Sequence, residues 1–330
     1  MGEIHLVTGG TGFTGAKLAM RLAKEGKAVI ALDIKKGYGD ELEKMGIKVV
    51  IGSVNDEKLV DELMNGVSYV HHVAAAFRDI NLPKKEYWDA NVESNRVLIE
   101  AAKRHGIERY ILTSTTGVYG AIPKEDIPAD EDADIKPEDH YQYTKYEGEK
   151  LAKQLCTEYG IPFVVVRPGG IYGPYDWRFL KLYKTIKSGK FIMLGSGKTL
   201  NHLVYIDNLV DGYLLCTEKE EALGQTYNIA DEKYITLNEL VKEIAESLGV
   251  PAPKWHFLIW PVWVAGLLCE IICKPFGIEP PLFRRRVDFF KNNRGFDITK
   301  AKKELGYLPK IDLKTGIKLT AEWYKERGYI

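Results

Sequence analysis

The first fifteen residues do most to limit the fold. An apolar, strand-like run, EIHLV (3–7), leads directly into TGGTGFTGAKLA, where Gly9, Gly12 and Gly15 recur at three-residue intervals. Glycine lets a backbone turn tightly and approach a pyrophosphate, and a helix opening near Phe13 and Thr14 aims its first amides at the same anion. A glycine triplet alone is a weak signal. Here a strand precedes it, a helix over 14–25 follows, and a second strand, AVIAL (28–32), ends at Asp33, which is the context a dinucleotide fingerprint requires. A carboxylate at that strand tip accepts ribose hydroxyls and repels a 2′-phosphate, so NAD is expected over NADP. Lys35 and Lys36, just beyond, soften that preference.

The alternation continues with KVVI (48–51), a helix near 56–64, YVHHV (69–73), a helix near 86–104, RYILT (109–113), a helix from about 140, and PFVVVR (162–167). Strand and helix in turn imply an α/β fold, a Rossmann-type doubly wound parallel sheet covered on both faces. After about 174 the alternation weakens. The expected organisation is an NAD-binding domain over 1–174, rejoined by the chain near 201–235 through TYNIA (226–230), and a smaller, mainly substrate-binding lobe in 175–330. That lobe draws on 175–200 and 250–290.

Net charge of +0 with 28% charged residues gives no electrostatic case for a nucleic-acid partner. Cys156, Cys216, Cys269 and Cys273 lack zinc-ribbon or disulfide-framework spacing, so no metal centre is expected and a reducing compartment is the simplest setting. The N-terminus lacks a signal-peptide layout, which points to the cytoplasm. The most apolar stretch is WHFLIWPVWVAGLLCEIIC (255–273). Its charge-free centre is short for a spanning helix and holds Pro261, so core packing is the first expectation. A helix lying on a membrane or lining a greasy pocket is the alternative.

HYQYTKYEGEK (140–150) contains Tyr-x-x-x-Lys twice, as Tyr141 with Lys145 and Tyr146 with Lys150. In a helix each pair shares a face, and a lysine beside a phenol can draw its pKa of about 10 toward neutrality, making a proton shuttle. A solvated lysine-rich helix that merely carries tyrosines fits equally, and spacing does not choose between the pairs.

TGGTGFTG at the N-terminus and YQYTKYEGE (141–149) resemble the extended short-chain dehydrogenase/reductase superfamily, of the NAD-dependent epimerase/dehydratase type. VHHVAA (70–75), NVESNRVLIEAA (91–102), LTSTTGVYG (112–120), RPGGIYGP (167–174) and VYIDNLVDGYLL (204–215) extend the resemblance over nearly the whole chain. It implies that Thr115, four residues before the tyrosine of VYG, is the hydroxyl partner, with Ser114 beside it. The catalytic tyrosine should follow some two dozen residues later, which selects Tyr141. Thr115 would bind the substrate oxygen, Tyr141 would take the alcohol proton as hydride leaves, and Lys145 would bind the nicotinamide ribose and stabilise the phenolate. Implied cofactor contacts are Gly9, Gly12, Phe13, Thr14, Gly15, Asp33, Ser53, Val54, Ala74, Ala75, Asn91, Tyr141, Lys145, Pro168, Gly170 and Ile171. Asn91 would also hold the site's geometry, unless it merely packs its helix. Ser53 stands where relatives often carry an adenine-binding aspartate, so only backbone contacts are expected there. His72 replaces a common leucine and is expected to be packed rather than catalytic.

The substrate is a small molecule, and three classes compete for it. Dehydratases follow the Thr115 position with an Asp-Glu pair, whereas Thr116 and Gly117 stand here. Nucleotide-sugar epimerases need groups for a diphosphate, and Gly170 and Asn201 stand where an asparagine and an arginine are usual. Arg178, Arg284, Arg285, Arg286 or Arg294 could compensate. RPGGIYGP, the apolar 255–273 stretch and FDITKAKKELGYLPKIDLKTGI (296–317) look more like the 3β-hydroxysteroid dehydrogenase branch, which implies an apolar secondary alcohol. A homodimer is the expected assembly.

Overall fold

The computed structural model describes residues 2–77, 82–273, 275 and 284–330. The first half runs β1 (Ile4–Thr8), α1 (Phe13–Lys24), β2 (Ala28–Asp33), α2 (Gly39–Lys44), β3 (Lys48–Ile51), α3 (Glu57–Met64), β4 (Tyr69–His72), α4 (Lys84–Trp88), α5 (Ser94–His105), β5 (Arg109–Thr113), α6 (His140–Tyr159) and β6 (Phe163–Pro168). The second runs β7 (Gly170–Tyr172), α7 (Leu180–Lys187), β8 (Met193–Leu194), β9 (Leu200–Asn201), β10 (Leu203–Tyr205), α8 (Ile206–Glu218), β11 (Thr226–Ile229), β12 (Ile235–Thr236), α9 (Leu237–Leu248), β13 (His256–Phe257), α10 (Ile259–Cys273), α11 (Arg284–Asp288) and α12 (Leu313–Glu326).

Seven strands form one sheet in the order β11-β6-β5-β4-β1-β2-β3, every neighbour parallel. The pleat sends alternate residues to opposite faces. Val7, Ala31, Ile111, Val164 and Val166 share one core with α1 and α8, while Leu6, Leu32, Val70, Leu112 and Val165 share the other with α3, α5 and α6. Burial on both faces explains why these strands are apolar throughout rather than alternating. Three short ladders, β7 with β10, β8 with β13 and β9 with β12, organise the later chain.

Two local departures have physical causes. The expected helix over 86–104 is interrupted at Asp89–Glu93 by a widened turn, which leaves Asn91 buried within it. Helix α2, GDELEK, escaped notice because six mostly polar residues carry little periodic signal. Of the expected second-lobe stretch, residues 274 and 276–283 and the side chains of Arg285 and Arg286 lie outside those described.

The 255–273 stretch corrects the expectation of core packing. It forms β13 and α10, and only Gly266 of α10 is buried. Trp260, Val264, Leu268, Ile271 and Ile272 line the outward face at helical spacing, with Trp260 67% and Leu268 53% exposed. Each large apolar side chain left outside forgoes roughly 1.5–3 kcal/mol that burial would give. A helix that is apolar all round has no polar side to reveal which face points outward, so sequence alone could not show this. No helix among the described residues is long and apolar enough to cross a membrane.

Candidate active site at the carboxyl edge of the sheet

The turns that follow β1, β2, β3, β4, β5 and β6 all open at the carboxyl edge of the parallel sheet, where ligands of such folds gather. After β1 the backbone turns at Gly9, whose φ of +63° suits glycine, and a β-carbon there would lie 2.8 Å from the backbone of Ala74. A β-carbon on Gly15 would collide with the Gly9 carbonyl, so α1 starts directly against the turn. Gly12 donates to Gly9 O at 3.1 Å. The amides of Phe13, Thr14 and Gly15 begin α1 and have no carbonyl behind them within the helix. This cradle fits a dinucleotide pyrophosphate.

Asp33 ends β2. Its Oδ2 accepts from the Thr11 amide at 3.2 Å and its Oδ1 from the Lys35 amide at 3.3 Å, which orients the carboxylate toward the loop. Thr11 in turn donates its hydroxyl to Lys35 O at 2.7 Å. The spacing reading missed Thr11 and also Gly10, where a β-carbon would sit 2.7 Å from that of Ala31. A second adjacent glycine in TGGTG was the available signal. Ser53 is exposed and its hydroxyl accepts from the Asn55 amide at 3.1 Å, whereas Val54 is buried, so both turn their side chains to local structure.

At the end of β5, Ser114 and Thr115 stand side by side. Thr115 Oγ1 accepts from the Gly117 amide at 3.0 Å and caps the short turn Thr116–Tyr119. Ser114 Oγ is buried with no hydrogen-bond partner among the described residues. Helix α6 begins at His140 because Asp139 and Gln142 form a capping box. That cap puts Tyr141 in the first turn and Lys145 one turn later. Lys145 is 3% exposed and donates to Thr113 O at 2.6 Å, so it reaches the strand end occupied by Ser114 and Thr115. Burial pushes the Lys145 ammonium down to about 8, against the opposing pull of Glu149. Tyr141 is 8% exposed. Tyr146 and Lys150 lie elsewhere: the ammonium stands 5.4 Å from the Tyr146 ring, which packs against the small cluster that holds Val118, Ile122 and Phe296.

Phe77, past β4, meets the Tyr141 ring edge-on at 5.0 Å. Arg178 lies 5.4 Å from the Phe77 ring and 5.5 Å from the Phe13 ring, and donates to Ile171 O at 2.7 Å. These contacts bring Phe13, Phe77, Tyr141 and Ile171 together around Arg178. Pro168 accepts the Thr116 hydroxyl, and Gly170 donates to His202 O at 2.9 Å. A β-carbon on Gly170 would stand 2.8 Å from Leu203 Cδ2, a spatial reason for glycine where β7 meets β10. Ala74 donates to Thr8 Oγ1 at 3.3 Å, and Ala75 is exposed beside it. Asn91 holds the loop: Oδ1 accepts from the Ala76 amide, and Nδ2 donates to Ala76 O and Thr144 Oγ1. Both its donors are thereby engaged, which makes it a clamp between the β4 loop and α6.

His72 is fully buried, between Thr8 Oγ1 at 2.7 Å and Ser94 Oγ at 3.0 Å. Ser94 gives its own proton to Ala90 O, so the His72 ring donates from Nε2 and accepts at Nδ1. Burial first, then Lys145, pushes its pKa down to about 3, and it stays neutral. Its hydrogen-bond partners, Thr8 and Ser94, belong to the scaffold.

Comparison with known proteins identifies the family. The model of the NAD dependent epimerase/dehydratase family matches residues 5–230. The chain belongs to that family. As an NAD dependent epimerase/dehydratase family member it is an NAD-dependent enzyme of the extended short-chain type, and its cofactor is NAD. It is 28% identical over 98% of its length to an N-acetyl-alpha-D-glucosaminyl-diphospho-ditrans,octacis-undecaprenol 4-epimerase of Escherichia coli O157:H7, covering 96% of that protein. It is 26% identical over 96% of its length to the mouse (Mus musculus) sterol-4-alpha-carboxylate 3-dehydrogenase, decarboxylating, covering 89% of it. The crystal structure of the UDP-glucose 4-epimerase of Thermotoga maritima with UDP-glucose superposes with a TM-score of 0.80 at 25% identity, with 98% and 99% of the two chains covered.

Proposed function

We propose that the enzyme moves hydride between NAD and a secondary alcohol or ketone carried by an apolar molecule, in the manner of 3β-hydroxysteroid dehydrogenases. The nicotinamide, when bound, supplies the hydride acceptor. Thr115 holds the substrate oxygen, Ser114 offers a buried second hydroxyl beside it, and Tyr141 removes the alcohol proton. Lys145, protonated at neutral pH, keeps a positive charge near that phenol and binds the ribose. Gly9, Gly12 and Gly15 give the pyrophosphate its close approach to the Phe13, Thr14 and Gly15 amides, and Asp33 accepts the adenine ribose hydroxyls.

The observation that supports an apolar substrate is the state of the arginines. A diphosphate buried without cationic partners is costly. Arg178 is paired with Asp176 at 2.8 Å, and Arg284 with Glu270 at 2.8 Å, so two of the five arginines that could serve a diphosphate are already engaged. Isothermal titration of the NAD complex with a steroid-sized alcohol and with UDP-glucose tests the reading. It predicts tighter binding and NADH formation with the alcohol. Tight UDP-glucose binding that Arg294→Ala abolishes would reverse it in favour of a 4-epimerase, the second reading, which the Escherichia coli relative favours.

A further inference from the structure

The apolar face of α10 points outward, and the chain segments laddered beside its start are rich in lysine. Residues 180–199 and 251–269 are joined through the β8–β13 ladder, with Met193 N donating to Trp255 O at 3.0 Å and Gly195 N to Phe257 O at 2.7 Å. Together these two segments contain six lysines and no acidic residue, in a chain whose net charge is +0. Lys187, Lys190 and Lys254 are exposed, and none of the three pairs with an acid among the described residues. The single charge on α10, Glu270, is neutralised by Arg284, which also lies 5.4 Å from the Trp263 ring.

We infer that α10 and β13 form a docking surface for the face of an anionic phospholipid bilayer. A helix of fifteen residues reaches about 22 Å, short of the roughly 30 Å hydrocarbon core, so it lies in the interface rather than across it. Trp255 and Trp260, 75% and 67% exposed, have the amphipathic rings favoured at the headgroup level, and Leu268 and Ile272 enter the acyl boundary. The lysines beside them meet the lipid phosphates. Docking of this kind deepens the apolar-alcohol reading, because it brings the candidate site to where such a substrate partitions.

The test is flotation of the full chain, NAD-loaded and without substrate, on vesicles of phosphatidylcholine alone or mixed with phosphatidylglycerol. Since no substrate is present, the result does not depend on which alcohol the enzyme uses. Flotation is expected on the mixed vesicles, with release by salt and quenching of tryptophan emission by brominated acyl chains. A Trp260→Glu/Leu268→Glu variant should bind at least about tenfold more weakly. Lys187→Glu/Lys190→Glu should lose about fivefold or more per lysine, with melting temperature and NAD affinity unchanged in both variants. Failure to float, or binding indifferent to lipid charge and to both variants, overturns the inference. So does a concentration-dependent dimer without lipid binding that Leu268→Glu disperses, because the face would then meet a second copy.

Discussion

Lys145 Nζ donates to the Thr113 carbonyl at 2.6 Å, fastening the second turn of α6 to the carboxyl end of β5. This contact separates the two Tyr-x-x-x-Lys pairs. Lys145 is buried at the strand end that also presents Ser114 and Thr115, whereas Lys150 is paired with Glu147 at 3.0 Å on the outer side of the same helix.

Burial of Lys145 gives stability a definite pH dependence. Its folded pKa, about 8, lies below the 10.4 or so of a lysine in an unfolded chain. Between those values the unfolded chain binds more protons, so this group raises stability as pH climbs through the window and costs most below it. Denaturant titrations of the parent and Lys145→Met should show the variant's relative stability falling by up to about 3 kcal/mol from pH 7 to pH 10. A difference that is flat with pH would mean that Lys145 is not desolvated.

Asp33→Ala should weaken NADH by about tenfold and NADPH less, because a charged acceptor disappears for one and a repulsive charge disappears for the other. The Thr11 amide also loses the carboxylate that holds it. Fluorescence titration with both cofactors checks the ratio. An unchanged ratio would remove Asp33 from the ribose.

The phosphate loop was legible in sequence because what it needs of glycine is local. A turn at positive φ and a helix seated on it restrict Gly9 and Gly15 whatever the rest of the chain does. The choice of Tyr141 over Tyr146 was legible only through family resemblance, since an i,i+4 pair looks the same in either register. The geometry-holding role of Asn91 came only through resemblance, and neither its partners Ala76 and Thr144 nor the Phe77–Arg178–Phe13 contacts were legible, because they join residues distant in sequence that only the folded sheet brings together. The exposure of α10 was hidden for the opposite reason, since apolarity reads as core unless a polar face contradicts it.

Helix α6 approaches the widened turn at 89–93 closely enough that a β-carbon on Gly148 would collide with the Asn91 carbonyl. Gly148→Ala should therefore cost about 1–3 kcal/mol and displace Tyr141 and Lys145 together. A lower melting temperature and a fall in turnover larger than the loss of NADH affinity are expected. A variant that melts and turns over like the parent would show that the helix has room to spare.

Asn91→Ala removes three hydrogen bonds that join Ala76 and Thr144 to one side chain. Leaving buried polar groups unpaired costs about 1–3 kcal/mol. Amide exchange at Ala76 should accelerate, with a smaller change at Thr11, whose amide is held by Asp33 rather than by Asn91. Equal protection at both sites in variant and parent would deny Asn91 its clamping role.

Tyr141 is the proposed proton shuttle for NAD-dependent hydride transfer. The most direct measurement is NADH formation by the parent, Tyr141→Phe and Tyr146→Phe across a panel of secondary alcohols, with NAD affinity determined for each. Tyr141→Phe should lose at least about a hundredfold in turnover at nearly unchanged NAD affinity, and Tyr146→Phe should match the parent. Equal losses in the two variants, or full activity in Tyr141→Phe, would contradict it.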